Sequence, residues 1–352
     1  AKGGAGLIIT EEHSTHPTDW PYEKLIHGFH RDVIAGYRRI TDAVHRHRTP
    51  IFAQINHNGG QASSMYSRLP VWAPSPVADP LFREVPKAVD HSEIAEIVAS
   101  YARVAEHCAE GGFDGIELQC SHSSIVRGFL SPATNRRVDD YGGSLENRAR
   151  LLLEIVAAVR AAIGSELALG VRICGDELIE GGTTIDDAVA VARMVEASGQ
   201  VDYINTSIGV ATASLFMIEA SMHIPPNYAM FIPSAIRKVV DLPVVGVGLF
   251  YRSGYFRQMI DRDGRQHSAG EEAPAVHRVA SGSQTSRRPV RVRYGSTSSI
   301  VSRSRPRRDR STVPRRRKPP CRRSPSSRRC SEPRGRHPWF HPRPCRQPFQ
   351  LP

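Results

Sequence analysis

Four polar side chains stand in or just after short apolar runs, where folding could bring them together for chemistry. Gln54 and Arg172 lie inside such runs, and Gln119 and His122 follow another. A histidine can donate a hydrogen bond or act as an acid near neutral pH, and an arginine keeps a fixed positive charge. The plainer alternative is a loop histidine bonded to backbone and a glutamine pointing between a strand and a helix.

These residues are positioned by apolar runs that alternate with helical patterns over the first 250 residues. Most runs read as continuously apolar, which is typical of a parallel sheet covered on both faces. About six strand–helix units can be counted, against the eight of a closed (β/α)8 barrel. We expect strands near 6–10, 51–56, 113–118, 167–173, 201–205 and 243–247, and helices near 32–47, 92–110, 145–160, 184–198 and 233–240. Ser92 is the expected N-cap of the second of these helices.

The densest motif joins the third of these strands to a helix through a polar loop. In an α/β fold, the loop at the carboxyl end of a strand is where chemistry usually sits. The segment FLSPATNRRVDDYGGSLENRARLLLEIV resembles the signature of the flavin-dependent Old Yellow Enzyme family. That family includes NADH:flavin oxidoreductases, 2,4-dienoyl-CoA reductases and trimethylamine dehydrogenase-like enzymes. The resemblance covers about residues 1–248, and we expect the loop's charged groups mainly to lock it to the helix.

The resemblance implies an α/β fold of the (β/α)8 TIM-barrel type. Relatives have a strand and a helix before the position of Ala1 and further elements after Gly248, so we expect a barrel incomplete at both ends. It also implies an FMN-dependent oxidoreductase with NADH or NADPH as reductant. Hydride would pass through the flavin to a small carbonyl-activated alkene or a related substrate.

Individual residues match the family's cofactor contacts. Gln54 matches the glutamine at the flavin pyrimidine edge, and Arg172 matches the arginine beside flavin N1. Glu12 falls where a backbone contact to the flavin is common. Gly246 and Gly248 resemble the first half of the family's phosphate-binding loop.

The resemblance places His122 and Gln119 at the substrate, where they would hold an oxygen or nitrogen atom as the catalytic pair. Ser124 stands where enone-reducing relatives carry a proton-donating tyrosine. We predict no metal site and no iron–sulfur cluster, because cluster ligation needs closely spaced thiolates. The cysteines late in the chain lack that spacing; they are Cys321, Cys330 and Cys345.

Charge divides the chain into two parts. Its 352 residues carry 47 Lys and Arg and 35 Asp and Glu, for a net charge of +12. Residues 251–352 hold 26 of the basic and 6 of the acidic residues, so this part of the chain is strongly basic. It is also rich in Arg, Ser and Pro. We expect an oxidoreductase domain over 1–249 and a disordered tail over 250–352. The tail is either a frame-shifted segment, which we favour, or a nucleic-acid-binding extension.

Partners and location follow from what the sequence lacks. No secretory signal or long apolar span is present, so we expect a cytoplasmic protein that makes no membrane contact. We expect a small-molecule substrate, a possible homo-oligomer, and nucleic-acid binding only non-specifically through the tail. The rival interpretation is an inactive product, because a barrel without its end strands exposes unpaired edges.

Overall fold

One parallel sheet organises the domain seen in the computed structural model, which describes residues 1–219, 223–225 and 227–247. Its strands are β1 (Ile8–Ser14), β2 (Ile26–His27), β3 (Ile51–Asn56), β6 (Gly115–Cys120), β7 (Ala168–Cys174), β8 (Tyr203–Ser207) and β9 (Val244–Val245), while β4 (Trp72–Ala73) and β5 (Lys87–Ala88) form a separate two-stranded ribbon. The spatial order is β2-β1-β3-β6-β7-β8-β9, and every neighbouring pair runs parallel. The α/β class is therefore confirmed. The tail expected from residue 250 onwards lies outside the described residues.

The helices follow the strands along the chain. They are α1 (Val33–His45), α2 (Ser64–Ser67), α3 (His91–Glu110), α4 (Ile125–Leu130), α5 (Leu145–Ile163), α6 (Ile185–Ala197), α7 (Leu215–Ile218) and α8 (Phe231–Arg237), with a 3-10 turn at Gly59–Gln61. Each parallel crossover needs such a connection, because the chain must return to the starting edge of the sheet. Among the described helices, none is long and apolar enough to cross a membrane.

The main hydrophobic core lies between the sheet and its helices. It takes alternate residues from each central strand, for example Ile55 of β3, Leu118 of β6 and Val171 of β7. The helices contribute residues at helical spacing, such as Ile97 and Tyr101 of α3. These side chains are all less than 2 % exposed, so this face of the sheet supplies most of the burial that stabilises the domain.

The opposite face of the sheet is polar, which corrects the expectation of continuously apolar strands. Gln54, Glu117 and Gln119 point away from the helix-facing core, and each is at most 6 % exposed. Only a small apolar cluster of Phe52 and Tyr203, with Ala168, lies among them. A strand with alternating faces therefore carries the core on one side and buried polar groups on the other.

Two local expectations are corrected. α3 is capped by Asp90 rather than by Ser92: the Asp90 carboxylate accepts from the Glu93 N–H at 3.0 Å, and the Glu93 side chain accepts from the Asp90 N–H at 3.0 Å. This reciprocal box satisfies two N-terminal donors. The polar loop expected after β6 also contains α4, all six residues of which are buried.

Hydrogen bonds to main-chain carbonyls tie the motif loop to α5. Asn135 Nδ2 donates to the carbonyls of Phe129 and Tyr141, each at 2.7 Å. Arg148 donates from Nε to Leu130 O at 2.7 Å and from Nη1 to Gly143 O at 2.6 Å. Asn135 and Arg148 of the motif therefore order the loop against the helix.

Candidate active site

The strand register aligns the polar side chains in two rows across the sheet. In the first row Gln54 is paired with Glu117, Glu117 with Gly170, and Gly170 with Tyr203. A Cβ atom on Gly170 would lie 2.0 Å from Tyr203 Cζ, so only glycine leaves room for the tyrosine ring. The missing side chain lets Tyr203 reach across β7 to Glu117.

The second row lies one pleat closer to the carboxyl ends of the strands. Arg172 of β7 is paired with Gln119 on one side and with Asn205 on the other. Because alternate residues of a strand share a face, both rows point to the polar side of the sheet. Three of the residues expected at the site, Gln54, Gln119 and Arg172, are thus brought together.

Glu117 is the centre of the resulting hydrogen-bond network. Its carboxylate is fully buried and accepts from Gln54 Nε2 at 2.7 Å, Tyr203 Oη at 2.9 Å and Asn205 Nδ2 at 2.9 Å. Gln119 extends the chain, donating from Nε2 to Gln54 Oε1 at 3.1 Å and accepting from Ser121 Oγ at 2.6 Å. Gln119 therefore orients Gln54, and it makes no hydrogen bond with His122.

Arg172 is the charged residue of the second row. Among the described residues its guanidinium makes no hydrogen bond or ion pair within 4 Å, and its Nε atom is buried. Burial lowers the pKa of Arg172, while the negative charge of Glu117 acts in the opposite direction. A buried guanidinium with free donors is costly unless another group accepts its hydrogen bonds.

His122 lies in the loop after β6 and faces β8. Its ring nitrogen Nε2 is 2.8 Å from Ser207 Oγ, and its backbone φ of 52° places it in the left-handed region. Such a conformation is uncommon outside glycine and occurs often at functional sites. Burial and the nearby charge of Arg172 lower the pKa of His122 to about 3. The imidazole is therefore neutral at pH 7 and can donate one hydrogen bond and accept another.

A pair of carboxyl groups lines the ends of β1 and β3. Glu12 accepts from Asn56 Nδ2 at 2.7 Å and from Asn58 Nδ2 at 3.0 Å, and the same Asn58 amide donates to Asp19 Oδ1 at 3.0 Å. Burial and the proximity of Glu12 raise the pKa of Asp19 to about 7, and burial also raises the pKa of Glu12. The Glu12 side chain is thus held by the protein.

The glycines expected to bind phosphate are only partly described. Gly246 follows β9, and a Cβ atom there would lie 3.2 Å from Pro233 Cγ, so its surroundings are tight. Gly248 lies outside the described residues. In the part of the chain that the structure describes, no three metal-ligating side chains cluster, and Cys108, Cys120 and Cys174 are buried and free.

Sequence reasoning missed the residues that hold the network together. Glu117, Tyr203, Asn205 and Ser207 lie on strands that were interpreted as apolar throughout. The sequence pattern that could have revealed them is a polar residue at every second position, for example Glu117, Gln119 and Ser121. A period of two with polar groups on one face indicates a polar interior, even when the other face is apolar.

Arg172 and Gln54 have the hydrogen-bonding groups that the ring system of a bound flavin would need. Arg172 offers unsatisfied donors and a positive charge, which suit the pyrimidine edge of a flavin that becomes anionic on reduction. Gln54 keeps one N–H and one lone pair beyond its bonds to Glu117 and Gln119. Both residues lie in strands whose carboxyl ends form one rim, where (β/α)8 proteins bind their ligands.

Comparisons with known proteins define the class and then the family. The described residues form an α/β fold similar to that of an old yellow enzyme homologue, and the sequence model for the NADH:flavin oxidoreductase / NADH oxidase family matches residues 1–265. The chain therefore belongs to the NADH:flavin oxidoreductase / NADH oxidase family, which confirms the resemblance. The match reaches beyond residue 248, where the resemblance in the sequence was taken to end.

Individual relatives show how much of a longer protein the match covers. The NADH oxidase of Thermoanaerobacter brockii is 34% identical over 270 residues, covering 75% of this chain and 41% of that protein. Histamine dehydrogenase from Rhizobium sp. 4-9 is 30% identical with a TM-score of 0.64, over 71% of this chain and 36% of that one. The old yellow enzyme homologue from Zymomonas mobilis has a TM-score of 0.59 and 27% identity, covering 70% of each chain. The chain thus spans well under half the length of the NADH oxidase.

Proposed function

We propose that residues 1–249 form the flavin-binding barrel of an FMN-dependent NAD(P)H:acceptor oxidoreductase. Bound FMN would supply hydride transfer between the nicotinamide and a small carbonyl-activated alkene or related substrate. The observation that carries this proposal is Arg172, a half-buried residue whose guanidinium, its buried Nε included, meets no acceptor among the described residues. Its placement beside Gln119 and Asn205, on a polar barrel face, supports an anion-stabilising role.

Each side chain of the site has a distinct task in this proposal. Arg172 holds a positive charge against the cofactor, and Gln54, fixed by Glu117 and Gln119, presents its remaining amide groups. His122, neutral and bonded to Ser207, binds and polarises an oxygen or nitrogen of the substrate. The backbone of Glu12 and the glycines Gly246 and Gly248 would complete the cofactor contacts.

Ser124 favours a second candidate function, the oxidation of a small amine. The residue is 1% exposed, and its hydroxyl accepts the hydrogen bond of the Val126 N–H at 3.1 Å, as the N-cap of α4. A serine hydroxyl is a far weaker acid than the tyrosine phenol of relatives, so Ser124 is a poor proton donor for reduction of an activated alkene. Amine oxidation needs no such donor, because the carbon–hydrogen bond beside nitrogen would break with its hydride passing to a bound flavin, and the product would be an iminium ion. The similarity to histamine dehydrogenase agrees with this alternative.

The visible absorption of the full chain tests the proposal. We expect added FMN to bind and its absorption band to bleach anaerobically with NADH or NADPH. Cyclohex-2-enone should restore the band if the chain reduces activated alkenes, whereas an amine should bleach it without a nicotinamide if the chain oxidises amines.

Arginine variants provide the control. Arg172→Met should weaken FMN binding by about tenfold or more, since it removes a charge-assisted interaction. Arg103→Met, at an exposed position of α3, removes the same charge elsewhere and should leave FMN binding unchanged. Equal FMN affinity of the two variants, or no FMN binding by the natural chain, would contradict the proposal.

A further inference from the structure

A pocket opens at the carboxyl ends of the strands, on the same rim as His122. It has a volume of about 190 Å³ and is lined by loops that follow β3, β6, β7 and β8. Ser124 and Val210, in the loops after β6 and β8, lie on its wall. A cavity of about 150 Å³ holds a benzene molecule, so this pocket has room for one ring or a short branched chain.

Most of the pocket wall is apolar. Ala73, Pro74, Val77, Ile125 and Ile179 line it, and these residues offer no side-chain hydrogen-bonding group. Burying the hydrocarbon part of a ligand here would contribute roughly 25 cal/mol per Å² of apolar surface.

Asp79 supplies a buried negative charge on this wall. The residue is 8% exposed, and no Lys, Arg or His nitrogen of the described residues lies within 4 Å of its carboxylate. Its oxygens accept only from neutral donors: Gln61 Nε2 at 2.8 Å, Thr212 Oγ1 at 2.7 Å, and the N–H groups of Leu81 and Phe82 at 2.8 and 3.1 Å. These dipoles satisfy the oxygens and leave the charge without a counter-ion.

Gln61 adds a free acceptor beside this charge. Its Nε2 is used by Asp79 and Thr212, whereas its Oε1 is buried and has no hydrogen-bond partner. The other charged residue of the wall, Arg127, is paired with buried Glu177 at 2.7 Å, and its Nε is a free donor. Since the Arg127–Glu177 pair is neutral overall, the uncompensated charge at the pocket is that of Asp79.

We propose that this pocket binds a small organic ammonium group, with Asp79 as its counter-ion and Gln61 Oε1 as a hydrogen-bond acceptor. A cation fits because it neutralises the buried carboxylate and donates to the unpaired carbonyl, while its hydrocarbon body covers the apolar wall. If the proposed oxidoreductase function holds, the ligand is the cationic end of the substrate. Asp79 then determines specificity and takes no part in hydride transfer.

Ligand-observed saturation-transfer NMR on the full chain, without FMN or nicotinamide, tests the site. The probes are benzylammonium and benzyl alcohol, which share a ring and a chain length and differ in charge. We expect benzylammonium to bind at least tenfold more tightly than the alcohol. Asp79→Asn should abolish that preference, because it removes the charge with little change in volume. Glu106→Gln, at an exposed position of α3, should preserve it.

A second variant keeps the test decisive if Asp79→Asn does not fold. Ala213 lies exposed on the pocket rim, so Ala213→Trp should block entry and weaken benzylammonium binding with Asp79 in place. Equal binding of the two probes, or full benzylammonium binding by Ala213→Trp, would overturn the proposal. Because the assay needs no cofactor, a failed flavin experiment leaves this site standing, and a failed binding experiment leaves the flavin proposal standing.

Discussion

Glu117 sets the orientation of the polar groups at the centre of the barrel. A fully buried carboxylate is costly unless its lone pairs are satisfied, and Gln54, Tyr203 and Asn205 all donate to it. The same charge offsets part of the cost of burying Arg172. Each of these residues thus depends on a neighbour from another strand, so in the proposed function Glu117 would position groups around a cofactor that it need not touch.

Glu117→Gln should weaken both the fold and the cofactor site. The amide places an N–H₂ group against donors that previously met an oxygen, so we expect a loss of about 1–3 kcal/mol in the free energy of unfolding. Gln54 would also lose its fixed orientation. Urea unfolding and FMN titration measure the two effects, with Glu106→Gln as the control. An unchanged FMN affinity in Glu117→Gln would show that the network does not position the site.

β7 and β8 fit together because one residue of β7 has no side chain. Gly170 leaves space for the Tyr203 ring, and that ring carries a hydroxyl to Glu117. The glycine is needed for this close approach, although a glycine inside a strand weakens the strand by itself. The strand pair and the polar network are therefore coupled.

Gly170→Ala should destabilise the domain by about 1–3 kcal/mol, because its Cβ atom would overlap Tyr203. The matched control is Gly36→Ala in α1, where nothing lies within 4 Å of the added Cβ. That change should stabilise the domain by about 0.5–1 kcal/mol, since alanine favours a helix more than glycine does. Thermal unfolding of the two variants should shift in opposite directions, and equal shifts would contradict the packing argument.

The whole domain buries several titratable groups in their neutral forms. Burial lowers the pKa of His13 to about 4 and that of His57 to about 3, as it does for His122. Burial raises the pKa of Asp19 to about 7 and also raises that of Glu12. The two kinds of group make opposite contributions to the pH dependence of stability.

Stability should rise as the pH increases from about 4.5 to 5.5. In this range the unfolded chain protonates three histidines that the fold keeps neutral, whereas the fold keeps protons on at most two carboxyls that the unfolded chain releases. The net excess of about one to two protons on the unfolded chain predicts a gain of about 1–3 kcal/mol per pH unit. Urea unfolding at several pH values measures this slope. Asp19→Asn should steepen it by about 1.4 kcal/mol per unit, and a flatter slope would contradict the assignment.

Most elements could be predicted because their signals are local. The bounds of β3 were correct to the residue, and α5 begins at Leu145 as expected. The cap of α3 was misplaced by two residues because Asp90 and Ser92 are both good caps, and only the Glu93 contact distinguishes them. α4 was missed because a six-residue helix is too short to show a clear period.

The sequence by itself determined the class of fold, the family and three of the polar groups at the barrel centre, because motifs and strand periods are properties of neighbouring residues. Only the tertiary structure decided that Gln119 donates to Gln54 rather than to His122, and that Arg172 has no hydrogen-bond partner among the described residues. It also placed Asp79 and Gln61 beside a pocket formed by four separate loops. Such contacts join residues far apart in the chain, and burial, which sets the charge state of His122, depends on all of them together.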